Sequence, residues 1–226
     1  MRTDELMQRL AEIPDPVSRL SPPPIRVAGW FALAIPYVGL VVLVMSPRSD
    51  LTVKFSDVGY LIEQSAALLT GLTASLAAFA STVPGFDRRV LLLPALPFAI
   101  WFATLALGCI RSWLEFGPEG LALQPDWYCF PAILLVGMVP AIAMAVMLRR
   151  GAPLTPHVST ALGGLAAAGL GNFGLRLFHP QDASIMVLVW QMGTVFVLTA
   201  LAGWAGRFLL DWRSLVEATR RQLGYR

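Results

Sequence analysis

Six long stretches of this chain are almost free of charge, and they limit its fold more than any other feature. Residues 27–46, 60–83, 90–110, 129–148, 158–178 and 184–206 are each largely apolar over about the 20 residues that an α-helix needs to cross the hydrocarbon core of a bilayer. A backbone in hydrocarbon must satisfy its own hydrogen bonds, so the expected fold class is all-α, a polytopic membrane protein with six transmembrane helices. Composition agrees, with 14% charged residues and a mean hydropathy of +0.65, where soluble domains carry about a quarter charged. No small-residue cleavage pattern follows an early short apolar core, so the first span is expected to persist as a span rather than be removed as a leader.

The cations orient the bundle. Four lie in the N-terminal tail (Arg2, Arg9, Arg19, Arg26), two at Arg88 and Arg89, two at Arg149 and Arg150, and five in the C-terminal tail, whereas the alternate connections hold Arg48, Lys54, Arg111 and Arg176. Thirteen against four places both termini in the cytoplasm by the positive-inside rule, in what is expected to be the inner membrane of a bacterium. The net charge of +3 is dispersed, and no basic run interleaved with aromatics is present, which argues against direct contact with nucleic acid.

The spans carry little chemistry. Ionisable groups such as Glu63 and Arg176 lie at their ends, and the interiors offer Gln191, Asn172, serines and threonines. A coupled transporter normally keeps a charge at depth, so a small transporter or channel is the weaker alternative. No phosphate loop, metalloprotease motif or nucleophile elbow is present, and the chain reads as a non-enzyme without a resident cofactor. Pro36, Pro94, Pro97 and Pro140 are expected to kink or shift their helices. Gly163, Ala167 and Gly171 recur four apart, a spacing that lets helices approach closely within one bundle or, less simply, across a dimer.

Cys109 ends the third span and Cys129 begins the fourth, so both sulfurs fall near the outer face, as does His179 between spans five and six. Oxidation is permitted there, and thiol and imidazole together suit soft or borderline metals. The plainer reading is that each cysteine packs as a small apolar residue and His179 is solvated. The absence of a CxxC pair counts against a membrane thiol oxidoreductase.

The chain divides into a cytoplasmic tail (1–26), a bundle (27–206) and a basic C-terminal tail (207–226). In the first tail Thr3 is a suitable N-cap, Asp4 and Glu5 fall in the first turn, and Pro14 limits the helix. Leu6, Met7, Leu10 and Ile13 share an arc of roughly 120° at 100° per residue, with Asp4, Glu5 and Arg9 outside it. Residues 1–13 hold two arginines against three acids, unlike a helix that seeks lipid. The proline-stiffened "PDPVSRLSPPP" then acts as a spacer, which favours a cytosolic partner. The second tail, "RFLLDWRSLVEATRRQLGYR", continues the last span as a helix whose cations first serve as anchors.

The stretches "TDELMQRLA", "LGCIRSWLEFGPEGLAL", "DWYCFP", "RRGAPL" and "HPQDASIMVLVW", in this order across six spans, resemble the NrsF-type family, negative regulators of sigma F and related extracytoplasmic-function sigma factors. The resemblance implies a membrane-bound anti-sigma factor whose N-terminal segment, with Asp4, Glu5, Leu6, Arg9 and Leu10, binds the sigma factor. It also implies release of that partner when oxidants or thiophilic metals are sensed at outward cysteines. The family's two sensing cysteines fall in "DWxC" and just before the proline of "CPxD"; this chain keeps the first as Cys129 and has His179 at the second. Three possibilities follow: transient soft-metal sensing by Cys129 with His179, oxidation involving Cys109, or altered or lost sensing.

Overall fold

The computed structural model of the protein describes residues 20–117, 129–151, 155–179 and 188–209, apart from the side chains of residues 129, 130, 190, 191 and 207–209. Among them all regular structure is helical. The main helices are α1 (Pro23–Met45), α2 (Val58–Ala80), α3 (Ala95–Phe116), α4 (Cys129–Arg149), α5 (Pro156–Phe178) and α6 (Gly193–Leu209), with a one-turn helix at Leu51–Lys54 and a 3-10 turn at Arg88–Leu92. The first five, α3 counted with the 3-10 turn before it, are long and apolar enough to cross a membrane. The last apolar stretch is shorter at 17 residues, and it follows directly on a π-helical turn, Leu188–Met192.

Local chemistry explains where the helices start and stop. Pro23 and Pro24 occupy the first two positions of α1, where a missing N–H costs nothing and a fixed φ is already helical. The helix therefore begins four residues before the apolar run does, and Arg26 lies inside its first turn. Asp57 caps α2 by accepting a hydrogen bond from the Gly59 N–H at 2.8 Å, and Asp87 does the same for the Arg89 N–H at the start of the 3-10 turn. Gly117, at φ +62°, ends α3 in the left-handed region that glycine tolerates. Pro36 and Pro140 lie inside α1 and α4, as expected. Pro94 and Pro97 do not kink a helix: the first precedes α3 and the second falls in its first turn, where no earlier carbonyl is robbed of a donor.

Successive helices alternate in direction, which gives the bundle two ends. At the proximal end, where residues 20–22 enter α1, the C-termini of α2 and α4 meet the N-terminus of α5. At the distal end, the Arg48 N–H after α1 donates to Leu177 O near the end of α5, and the start of α2 meets the same helix through Tyr60. α5 is the central helix, with 67% of its apolar window buried, and α3 the most peripheral at 17%. Small residues make that centrality possible. A Cβ at Gly169 would lie 2.9 Å from both Ala67 O and Gly71 N of α2, and one at Gly163 would meet Met144 of α4 at 2.8 Å. A Cβ at Gly164 would meet Ala202 of α6 at 2.9 Å, and one at Gly174 would collide with Val38 of α1, so α5 touches four neighbours through glycines.

Trp30, Val38, Phe79, Val136, Met144, Leu148, Leu170 and Leu175 form the larger apolar core between α1, α2, α4 and α5. Trp101, Leu105, Ala168, Met192 and Val195 form a smaller one that ties in α3 and α6. Outside these, Leu43, Val44, Leu96 and Leu114 are at least 70% exposed. Such a wide apolar exterior is compatible with a hydrocarbon surrounding.

Candidate functional site

Two polar clusters interrupt the apolar bundle, one at each end. At the distal end Glu63 of α2 and Arg176 of α5 form a buried two-pronged ion pair, Nε to Oε1 at 2.9 Å and Nη2 to Oε2 at 3.3 Å. The Tyr60 hydroxyl donates to the Arg176 carbonyl at 3.2 Å, and the guanidinium lies 5.6 Å from the Tyr60 ring centre. Arg48, whose side chain is nearly buried, grips Asp50 at 2.6 and 2.7 Å. This pairing holds the Asp50 carboxyl below the usual carboxylate range. A cleft of about 550 Å³ opens beside the pair, lined by Lys54, Asp57, Thr104, Arg111, Ser112 and Glu115 among others. It is polar and of mixed charge.

The distal end also receives two of the three expected sensor residues. Cys109 is a free thiol on the inward side of α3, 8% exposed, and its neighbour Gly108 lines the cleft. His179 terminates α5, its N–H donating to Leu175 O at 2.8 Å, and is half-buried. Cys129 opens α4, but its side chain lies outside the described residues, so its relation to Cys109 and His179 does too. Among the described residues no three His, Cys, Asp or Glu side chains converge as a metal site. The residues expected to bind the partner, Asp4, Glu5, Leu6, Arg9 and Leu10, fall outside the described residues as well.

At the proximal end lies a second cluster, centred on Arg26. Arg26, counted above as one more tail cation, is 5% exposed. Its Nη1 donates to Thr82 Oγ1 at 2.8 Å, its Nη2 donates to Met147 O at 2.6 Å, and its guanidinium lies 4.4 Å from the centre of the Phe79 ring. One side chain at the root of the tail thus joins the ends of α2 and α4. The signal that would have found it was present: three prolines place Pro23 and Pro24 at helical first positions and carry Arg26 into the first turn. Beside it Ser81 and Ser159 share a hydrogen bond of 2.7 Å between α2 and α5. Further along, Trp30 Nε1 donates to Pro140 O at 2.9 Å and the Tyr37 hydroxyl to Leu135 O at 2.6 Å. With Arg26 these fasten α1 to α4 at three levels.

Comparison with known proteins bears on both ends. A family described as negative regulator of sigma F matches residues 10–212. The anti-sigma-F factor NrsF of Caulobacter vibrioides (strain NA1000 / CB15N) is 29% identical over 219 residues, covering 94% of this chain and 100% of that protein. No solved structure matches.

Proposed function

The chain belongs to the negative-regulator-of-sigma-F family of anti-sigma factors, and from that premise we propose that it tethers an extracytoplasmic-function sigma factor to the cytoplasmic membrane through residues 1–26. The observation that carries the reading is the family match, which runs from the tail to the end of the bundle. The exposed apolar exterior and five span-length helices support insertion in a bilayer, with the Leu188–Leu209 helical stretch as the sixth crossing. The proximal end is then cytoplasmic, because Arg88, Arg89, Arg149 and Arg150 follow or precede the helix ends there.

In this arrangement Leu6, Met7, Leu10 and Ile13 supply apolar contact area to the sigma factor, and Asp4, Glu5 and Arg9 supply partner choice. A helix of about 11 residues is marginal alone in water, so the tail folds as it binds. Cys129 is the sensing thiol on the opposite side of the membrane, with His179 or Cys109 as its counterpart, and oxidant or a thiophilic metal is the signal for release. The test is co-purification of the full-length protein with the sigma factor encoded beside it. Leu6→Asp combined with Leu10→Asp should abolish capture while leaving the membrane protein intact; capture that survives the double substitution removes the tail from the mechanism.

A further inference from the structure

We propose that Arg26 is a positioning residue for sigma capture, seating the root of the N-terminal tail on the proximal ends of α2 and α4. The inference rests on the anti-sigma reading above and adds to it the link between bundle and tail. Arg26 is the fourth residue of α1, so whatever fixes its guanidinium fixes the direction in which residues 20–22 leave the bundle. Three groups fix it: the Thr82 hydroxyl just beyond α2, the Met147 carbonyl in the last turn of α4, and the face of Phe79. A charge buried this far is costly unless its donors are met, and the arrangement meets it with one acceptor from each helix. The site tolerates little slack: a Cβ on Gly151 would come within 2.5 Å of Thr82 Cβ.

The helix that supplies Met147 is also the one that begins at Cys129. Trp30 and Tyr37 hold α1 against α4 along the intervening length, so a displacement of α4 that began at its distal end would reach Arg26 through its own carbonyl acceptor. Arg26 does not touch the partner in this scheme. It sets the direction in which residues 20–22 leave the bundle.

The test uses the full-length protein in detergent or nanodiscs and reads its affinity for the sigma factor encoded beside it, with monodisperse elution as the check on folding. Arg26→Gln should weaken capture about ten-fold or more, the scale of losing charge-assisted hydrogen bonds. Thr82→Val, a milder change, should weaken it in the same direction. The double variant should bind no worse than Arg26→Gln alone, because both act through one contact. Ser81→Ala removes the hydrogen bond to Ser159 between α2 and α5 at the same end and should leave capture within about two-fold, given the small worth of such bonds in membranes. Wild-type affinity in Arg26→Gln overturns the proposal. So does an unchanged Thr82→Val beside a weakened Arg26→Gln, since Arg26 would then contact the partner itself. An equal loss in Ser81→Ala would reduce the effect to bundle stability. Failure of the wild-type protein to bind the sigma factor is a different result, which removes the anti-sigma reading and the inference with it.

Discussion

At the scale of single residues the buried cations behave differently from one another because of what each meets. Arg48 is held by Asp50, which keeps 43% of its side chain exposed. Its carboxyl is depressed chiefly by the Arg48 hydrogen bonds, which outweigh an opposing desolvation, with Coulomb attraction to Arg48 and Lys54 adding in the same direction. A depressed folded-state pKa contributes stability that is present above the unfolded value of about 3.9 and is lost as pH falls through the folded value. The junction between α1 and α2 should therefore loosen only in acid below the ordinary carboxylate range. Infrared or NMR titration of the Asp50 carboxyl should place its midpoint below that of a free aspartate, and Arg48→Gln should return it toward about 3.9; a midpoint indifferent to Arg48→Gln would mean the pairing is not formed. Glu63 and Arg176 differ in being buried together. Removing one partner of such a buried pair is costly, whereas the intact pair is weak evidence of net stability, because desolvation offsets much of the Coulomb gain.

At the scale of helices, glycine placement sorts contacts that move from contacts that cannot. The four-residue spacing of Gly163, Ala167 and Gly171 marks a face of α5, and that face packs inside the bundle against Met144, Leu148 and Gly137 of α4. Among the glycines of α5, the closest approach to another helix's backbone is elsewhere, at Gly169, where the obstructing atoms are Ala67 O and Gly71 N. Backbone cannot step aside as a methionine side chain can. Gly169→Ala should thus cost about 1–3 kcal/mol by overpacking and lower the thermal midpoint in detergent. Gly171→Ala, whose Cβ would rest 3.5 Å from Gly137 Cα in ordinary contact, should leave that midpoint near wild type. Equal midpoints for the two would mean that α2 and α5 are further apart than described. Spacing along one helix could not make this distinction, because it shows which residues share a face and not which neighbour that face will meet.

At the scale of the whole molecule, what was legible in the sequence is what one-dimensional chemistry determines. Runs of apolar residues fixed the helices to within a few positions, and their alternation followed from short connections. What stayed hidden needed contacts between distant residues: Glu63 and Arg176 are 113 positions apart and Arg26 and Met147 are 121 apart, and although the prolines put Arg26 inside a helix, nothing local names the acceptors it meets. For Cys109, one of the residues expected to sense, burial bears directly on the chemistry. Oxidation follows exposure and thiolate character, so the buried Cys109 should label slowly with a maleimide in the folded protein and be a poor first target for oxidant. Cys129, at the mouth of α4, is the thiol on which sensing is expected to depend. Cys129→Ser should still capture the sigma factor and yet fail to release it under peroxide or cadmium, read as retained sigma in membrane pull-downs. His179→Ala should then separate the two signals, losing cadmium release if sulfur and imidazole bind the metal together while keeping release by peroxide. A Cys129→Ser protein that releases its partner normally under both would move sensing away from this thiol altogether, and with it the idea that α4 carries the signal from its first residue to the seat of Arg26.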